Sequence, residues 1–189
     1  MNFHPTRALV ATMGLCCVAV TTFSCRHRTS GSVVPALASS PAQRLPLTLD
    51  QANTAAWTNA WTNLVNDVRQ TFTPSLPKLV AVEVELVVGN PGPPDDTLTM
   101  ELLDANERAV AVVSQTVSTT DCEHTRFIFR DGGVEVSPGQ LYSLRLSGGA
   151  KFGWKYVVGG YENGSASFNG QPLLREARST FLFQTFGTK

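Results

Sequence analysis

The densest set of side chains that could bind a ligand is aromatic. Phe152-Gly153-Trp154-Lys155-Tyr156 is followed by Tyr161 and Phe168. Sugar rings have apolar faces that stack on aromatic rings, and their hydroxyls need hydrogen-bond donors and acceptors. On a strand, Trp154 and Tyr156 share one face. Lys155 and the loop residues Glu162 and Asn163 could supply the polar contacts. The competing and stronger expectation is that Trp154 and Tyr156 fill a core, because Phe152 belongs to the same face.

Acidic residues recur where turns are expected: Asp95-Asp96, Asp104 with Asn106, Asp121 with Glu123, and Asp131. A calcium ion takes six to eight oxygens, partly from loop carbonyls. Structural calcium could sit on such turns, although the D-x-D-x-D-G pattern is absent and Asp and Asn favour turns for local reasons. Asp121-Cys122-Glu123-His124 collects four side chains able to ligate a transition metal. Adjacent residues point different ways, so four in a row rarely converge on one ion. His124 is the one histidine within the expected domain, and a Ser-His-Asp triad would have to use it. No G-x-S-x-G, H-E-x-x-H or phosphate-cradling glycine loop occurs. Nothing singles out two carboxylates as a glycosidase pair. The expectation is a protein that is not an enzyme.

The elements that would position these residues follow from the chain plan. Lys and Arg number 15, Asp and Glu number 15, and no long run of one sign appears. A nucleic-acid partner is therefore not expected. Residues 1–24 read as a signal peptide. Ala8 to Phe23 is a stretch of 16 residues without charge, about 24 Å as a helix, short of a ~30 Å hydrocarbon core. Thr22-Phe23-Ser24-Cys25 looks like a lipobox, with Thr where Leu is usual. Cleavage there would lipidate Cys25 and tether the protein to a membrane. The rival is ordinary cleavage and secretion at Ala36-Leu37-Ala38, unfavourably far from the apolar stretch; an uncleaved anchor is a third course. Cys16 and Cys17 fall in the segment to be removed, so with Cys25 lipidated Cys122 has no intrachain disulfide partner. Residues 25–46 read as a flexible Ser-, Ala- and Pro-rich tether, and 47–189 as the folded domain.

Within that domain the hydrophobic period is two. Val80, Val82, Val84, Leu86 and Val88 are expected on one face of a long strand, with Glu83 and Glu85 on the other. Leu98, Met100 and Leu102 repeat the pattern, as do Phe127 with Phe129, and Tyr142, Leu144 and Leu146. Gly- and Pro-rich clusters such as Gly89 to Asp96 and Ser137-Pro138-Gly139-Gln140 separate the runs. Gln51 to Val68 is contested. Trp57, Ala60, Trp61, Leu64, Val65 and Val68 match a helical stripe, yet the segment is crowded with Thr and Asn. Strand and loop is the favoured reading. About eight or nine strands result, with no helix-length crossover, which predicts an all-β antiparallel sandwich or barrel.

Four segments, in order, resemble a module of exported bacterial proteins: Gln70-Thr71-Phe72-Thr73-Pro74, Val136 to Tyr142, Gly159-Gly160-Tyr161-Glu162-Asn163-Gly164, and Thr180 to Phe186. The module is a jelly-roll β-sandwich of the carbohydrate-binding type, often without an assigned ligand. The resemblance covers roughly Gln70 to Gly187. It implies a jelly roll, and such modules often hold a calcium ion. It transfers no ligand residues, and, unlike the family's usual arrangement, no enzyme domain is expected beside the module. The expected function is a non-catalytic extracytoplasmic binding module, most naturally for a glycan, with Trp154, Tyr156, Tyr161, Lys155 and Asn163 as candidate contacts. The alternative is a structural or protein-interaction domain of a cell-surface lipoprotein with no small ligand.

Overall fold

A computed structural model describes residues 46–56, 60–174 and 178–189. The export segment, Cys25, the Ala36-Leu37-Ala38 site and Trp57 lie outside the described residues. In chain order the strands are β1 (Thr48–Asn53), β2 (Trp61–Asn63), β3 (Val68–Phe72), β4 (Lys78–Val88), β5 (Asp95–Leu103), β6 (Ala109–Ser118), β7 (His124–Ile128), β8 (Val134–Glu135), β9 (Tyr142–Ser147), β10 (Phe152–Val158), β11 (Ala166–Phe168), β12 (Gln171–Pro172), β13 (Ser179–Phe181) and β14 (Phe183–Thr188). Nine of them have five residues or more, in line with the alternation in the sequence; the other five have two or three. One 3-10 turn, Arg130–Gly132, interrupts them.

The strands form two antiparallel sheets, a β-sandwich whose layout is compatible with a jelly roll. The first runs β1-β14-β4-β10-β13, with β2 on β10 and with β7 and β8 on β4. The second runs β12-β11-β3-β9-β5-β6. Inward residues of both fill one core: Val82, Val84, Leu86, Phe127, Phe152, Trp154 and Phe183 from the first, and Val68, Phe72, Leu98, Met100, Leu102, Leu144 and Leu146 from the second. In the second sheet the alternating neighbours Thr97, Thr99 and Glu101 point outward, as half-buried antiparallel strands require, whereas the outer face of the first sheet is mixed, with Glu83 and Glu85 beside Ala81 and Ile128.

The long strand β4 holds its expected face from Val82 to Leu86. Towards its start the parity changes. Ala81 lies opposite Phe186 but Leu79 lies opposite Gly187, so Val80 occupies a bulge and Leu79 joins the core. At the other end Val88 is 43% exposed. The contested segment Gln51 to Val68 contains no helix among the described residues. Trp61 instead lies across the outside of the first sheet, where Gly89 and Gly153 leave it room; a Cβ at either would collide with the ring. Leu64 and Val68 turn inward.

The closing segment divides at Leu182. Strand β10 runs beside β4 only from Phe152 to Trp154. Beyond that point β13 pairs with β10, while β14 pairs with β4. Leu182 sits at the fork. Its N–H donates to the Lys155 carbonyl at 3.0 Å, and its carbonyl accepts from Glu85 N–H at 3.3 Å. The indole Nε1–H of Trp154 donates to the same carbonyl at 2.9 Å. A buried polar link joins the two sheets. Gln70 on β3 is fully buried; its Oε1 accepts from Phe181 N–H at 2.7 Å, and its Nε2 donates to Thr71 O at 2.8 Å. Buried polar groups need such partners.

Candidate binding cleft

Three connections and one strand enclose an open cleft of about 680 Å³. The β3–β4 connection contributes Thr73, Pro74 and Ser75, the β8–β9 turn contributes Pro138 and Gly139, the β10–β11 loop contributes Asn163, and β1 contributes Gln51. Each wall is fixed by local chemistry. In Ser137-Pro138-Gly139-Gln140 the Gln140 N–H returns to Ser137 O at 3.1 Å and Gly139 has φ of +80°. Pro second and a left-handed Gly third are the demands of a type II turn. Gly139 N–H also donates to Pro74 O at 2.9 Å, which holds the two walls together. Behind Pro74, the Asp50 carboxylate accepts from Ser75 N–H at 3.0 Å and Leu76 N–H at 3.2 Å, and from the Ser75 hydroxyl.

The third wall is held by Arg178. Its guanidinium donates to the Glu162 carbonyl and, at 2.7 Å, to the Gly164 carbonyl. The peptide between those carbonyls is thus clamped, and exposed Asn163 projects from it. Gly164 presses against Thr71 O so closely that a Cβ would not fit. Tyr161 lies beneath. It is 7% exposed, packs edge-on against Phe183 at 5.2 Å, and donates its hydroxyl to Gln51 Oε1 at 2.8 Å. Burial pushes that hydroxyl's pKa up, with the Asp50 charge adding to it, so the phenol remains a donor. Gln51 N–H donates to Thr185 Oγ1 at 3.0 Å. Segments distant in sequence therefore meet here through Thr73-Pro74, Pro138-Gly139 and Asn163, with Thr185 behind Gln51.

The five candidate contact residues do not form one site. Trp154 is fully buried and stacks on Phe181 at 4.3 Å with an 18° tilt, so it presents no face to a ligand. Of the two expectations for this ring, burial is the one observed. The reason is strand parity: Phe152, Trp154 and Tyr156 point towards the core together, and the fork at Leu182 satisfies the indole N–H. Tyr156 is half-buried, edge-on to Phe181 at 6.1 Å. Lys155 points to the opposite face and is nonetheless buried; its Nζ lies 2.9 Å from Glu123 Oε1 and 3.7 Å from Glu85 Oε2. That ammonium holds the Glu123 carboxyl below its ordinary pKa. Only Tyr161 and Asn163 are brought together, at the cleft. Gln51 and Ser75 complete it and carry no pattern in the sequence that marks them.

A second cleft, of about 510 Å³, lies beside Val87, Cys122, Glu123, His124 and Lys155. Cys122 is buried, its thiol pKa raised by that burial, and its Sγ approaches Thr119 O at 3.9 Å. His124 Nδ1 lies 3.8 Å from Glu83 while Glu123 pairs with Lys155, so Asp121 to His124 diverge as adjacent residues do. Among the described residues no three His, Cys, Asp or Glu side chains are placed to hold a metal. Two of the acidic turns use their carboxylates locally: Asp104 accepts from Asn106 and Arg108 N–H groups, and Asp96 from Thr97 N–H.

No family model matches this chain, and no curated protein is detectably similar to it.

Proposed function

We propose that this chain is a non-catalytic extracytoplasmic binding module that holds a carbohydrate in the cleft between Gln51 and Asn163. The observation that carries this reading is the chemistry of the lining. Among the described lining residues two amides, Gln51 and Asn163, and two hydroxyls, Thr73 and Ser75, surround two prolines; Gln51 is already bonded to Tyr161 and Ser75 to the Asp50 carboxylate behind it. Amides and hydroxyls both donate and accept, which suits a ring of hydroxyls, while Pro74 and Pro138 offer apolar faces to C–H groups. The walls are cross-bonded before any ligand arrives, which lowers the ordering cost of binding. A jelly-roll module tethered through Cys25 would display this cleft outside the cell.

A glycan array on the full chain tests the reading, followed by titration of the best glycan against Asn163→Ala. The side chain is exposed, so the variant should melt like the parent yet bind about tenfold more weakly, the loss of one or two hydrogen bonds. An array without a bound glycan, or an Asn163→Ala variant of undiminished affinity, removes the reading.

A second reading is a structural or protein-interaction domain with no small ligand. It is favoured by an apolar row on the outside of the first sheet. Leu49, Phe186, Ala81 and Ile128 lie opposite one another on β1, β14, β4 and β7. Leu49 at one end is 52% and Ile128 at the other 60% exposed, while Ala81 between them is fully buried and the Arg126 guanidinium lies 4.6 Å over the Phe186 ring. Exposed apolar side chains flanking a covered ring are groups that a protein partner could bury.

A further inference from the structure

Sheet edges expose unpaired N–H and C=O groups, and proteins usually blunt them with short strands, charges, prolines or bulges. Most edges here are blunted. β12 has two residues and one is Pro172; β13 has three; β8 has two. β1 breaks register between Leu49 and Gln51, and β7 carries His124 and Arg126. Strand β6 is different. It ends the six-stranded sheet, and among the described residues β5 is its one partner. Its ten residues, Ala109 to Ser118, include no charge, no proline and no glycine. The bulge near its start leaves Ala111 to Ser118 regular. At about 3.4 Å per residue the edge is roughly 34 Å long, and about half of its backbone donors and acceptors face away from β5.

We propose that β6 is a self-association edge, on which a second copy of this chain pairs its own β6 antiparallel about a two-fold axis. The composition fits a second copy. With Ser114 opposite Ser114, Val112 meets Thr116 and Val110 meets Ser118. All are β-branched or small hydroxyl side chains, favourable cross-strand neighbours, and no like charges face each other. Past the strand ends, Arg108 of one copy comes beside the Thr119–Asp121 turn of the other, and by symmetry this happens twice. Among the described residues no ion pair within 4 Å engages Arg108 or Asp121 in its own chain, although the Arg108 charge also acts on Asp104, whereas Glu107 is engaged with Arg69 at 3.1 Å. The two six-stranded sheets become one continuous sheet. A single strand edge buries less than the roughly 1,200 Å² of stable interfaces, so the dimer is weak and set by concentration.

Sedimentation of the full chain over a range of concentrations tests this, with hydrogen exchange read at both ends of the range. The mass should rise towards twice the monomer value, and amides of Ala111 to Ser118 should gain protection as it does. The double variant Val112→Lys with Thr116→Lys gathers four lysines across the axis. Both positions are exposed, so the variant should keep the parent's melting temperature and stay monomeric. A monomer at every concentration overturns the proposal. So does association that the lysines leave intact or that leaves β6 exchange unchanged, as self-association through another part of the chain would.

Discussion

Truncating Trp154 to Ala separates a core tryptophan from a ligand platform by its cost in stability. A ring of this size removes about 200 Å² from water, about 5 kcal/mol at ~25 cal/mol per Å². The stack on Phe181 at 4.3 Å adds about 1 kcal/mol. The bond from Nε1 to Leu182 O at 2.9 Å contributes about 1 kcal/mol more. Neighbours collapse into part of the space left, so measured costs of such truncations run about 3–5 kcal/mol. For a domain of this size that lowers Tm by roughly 10–20 °C. Trp154→Phe keeps most of the apolar area and the stack but loses the bond at the fork, so it should cost less than half as much. Urea unfolding of both variants, followed by far-ultraviolet circular dichroism, gives the two free energies. A Trp154→Ala protein whose midpoint stays within experimental error of the parent, with unchanged slope, would refute the assignment of this ring to the core.

Gln70→Leu fills the same space without the acceptor for Phe181 N–H, leaving a buried donor unpaired; it should cost about 1–3 kcal/mol in the same assay, and a neutral result would show that the link between sheets is not needed. Lys155→Met addresses pH. Because Lys155 holds the folded Glu123 carboxyl below its ordinary pKa, the pair contributes stability above the ordinary carboxylate range and loses it as pH falls through the depressed value. The variant lacks that contribution, so its stability should decline less steeply between about pH 7 and pH 3; equal slopes would count against the pairing.

Part of this was legible in the chain because it is local. Alternation with period two follows from strand geometry, so Leu98-Met100-Leu102 and Leu144-Leu146 announced their inward faces without any partner in view. Ser-Pro-Gly-Gln announced its turn because Pro and Gly restrict or release φ one residue at a time. Even Gln51 to Val68 could be read as strand and loop, since Thr and Asn disfavour a helix whatever surrounds them. What alternation could not show was which sheet each face packs against, or where parity breaks. The bulge at Val80 depends on how β14 lies against β4, and the fork at Leu182 on three strands meeting. Burial of Lys155 depends on Glu85 and Glu123 arriving from elsewhere. The aromatic run around Trp154 marked a strand in the sequence, but only the packing of Phe181 against it made that strand part of the core. The cleft is the extreme case: Gln51, Ser75, Pro138 and Asn163 share no local pattern. Long-range strand pairing alone brings them together, and hydrogen bonds between distant backbones hold them there.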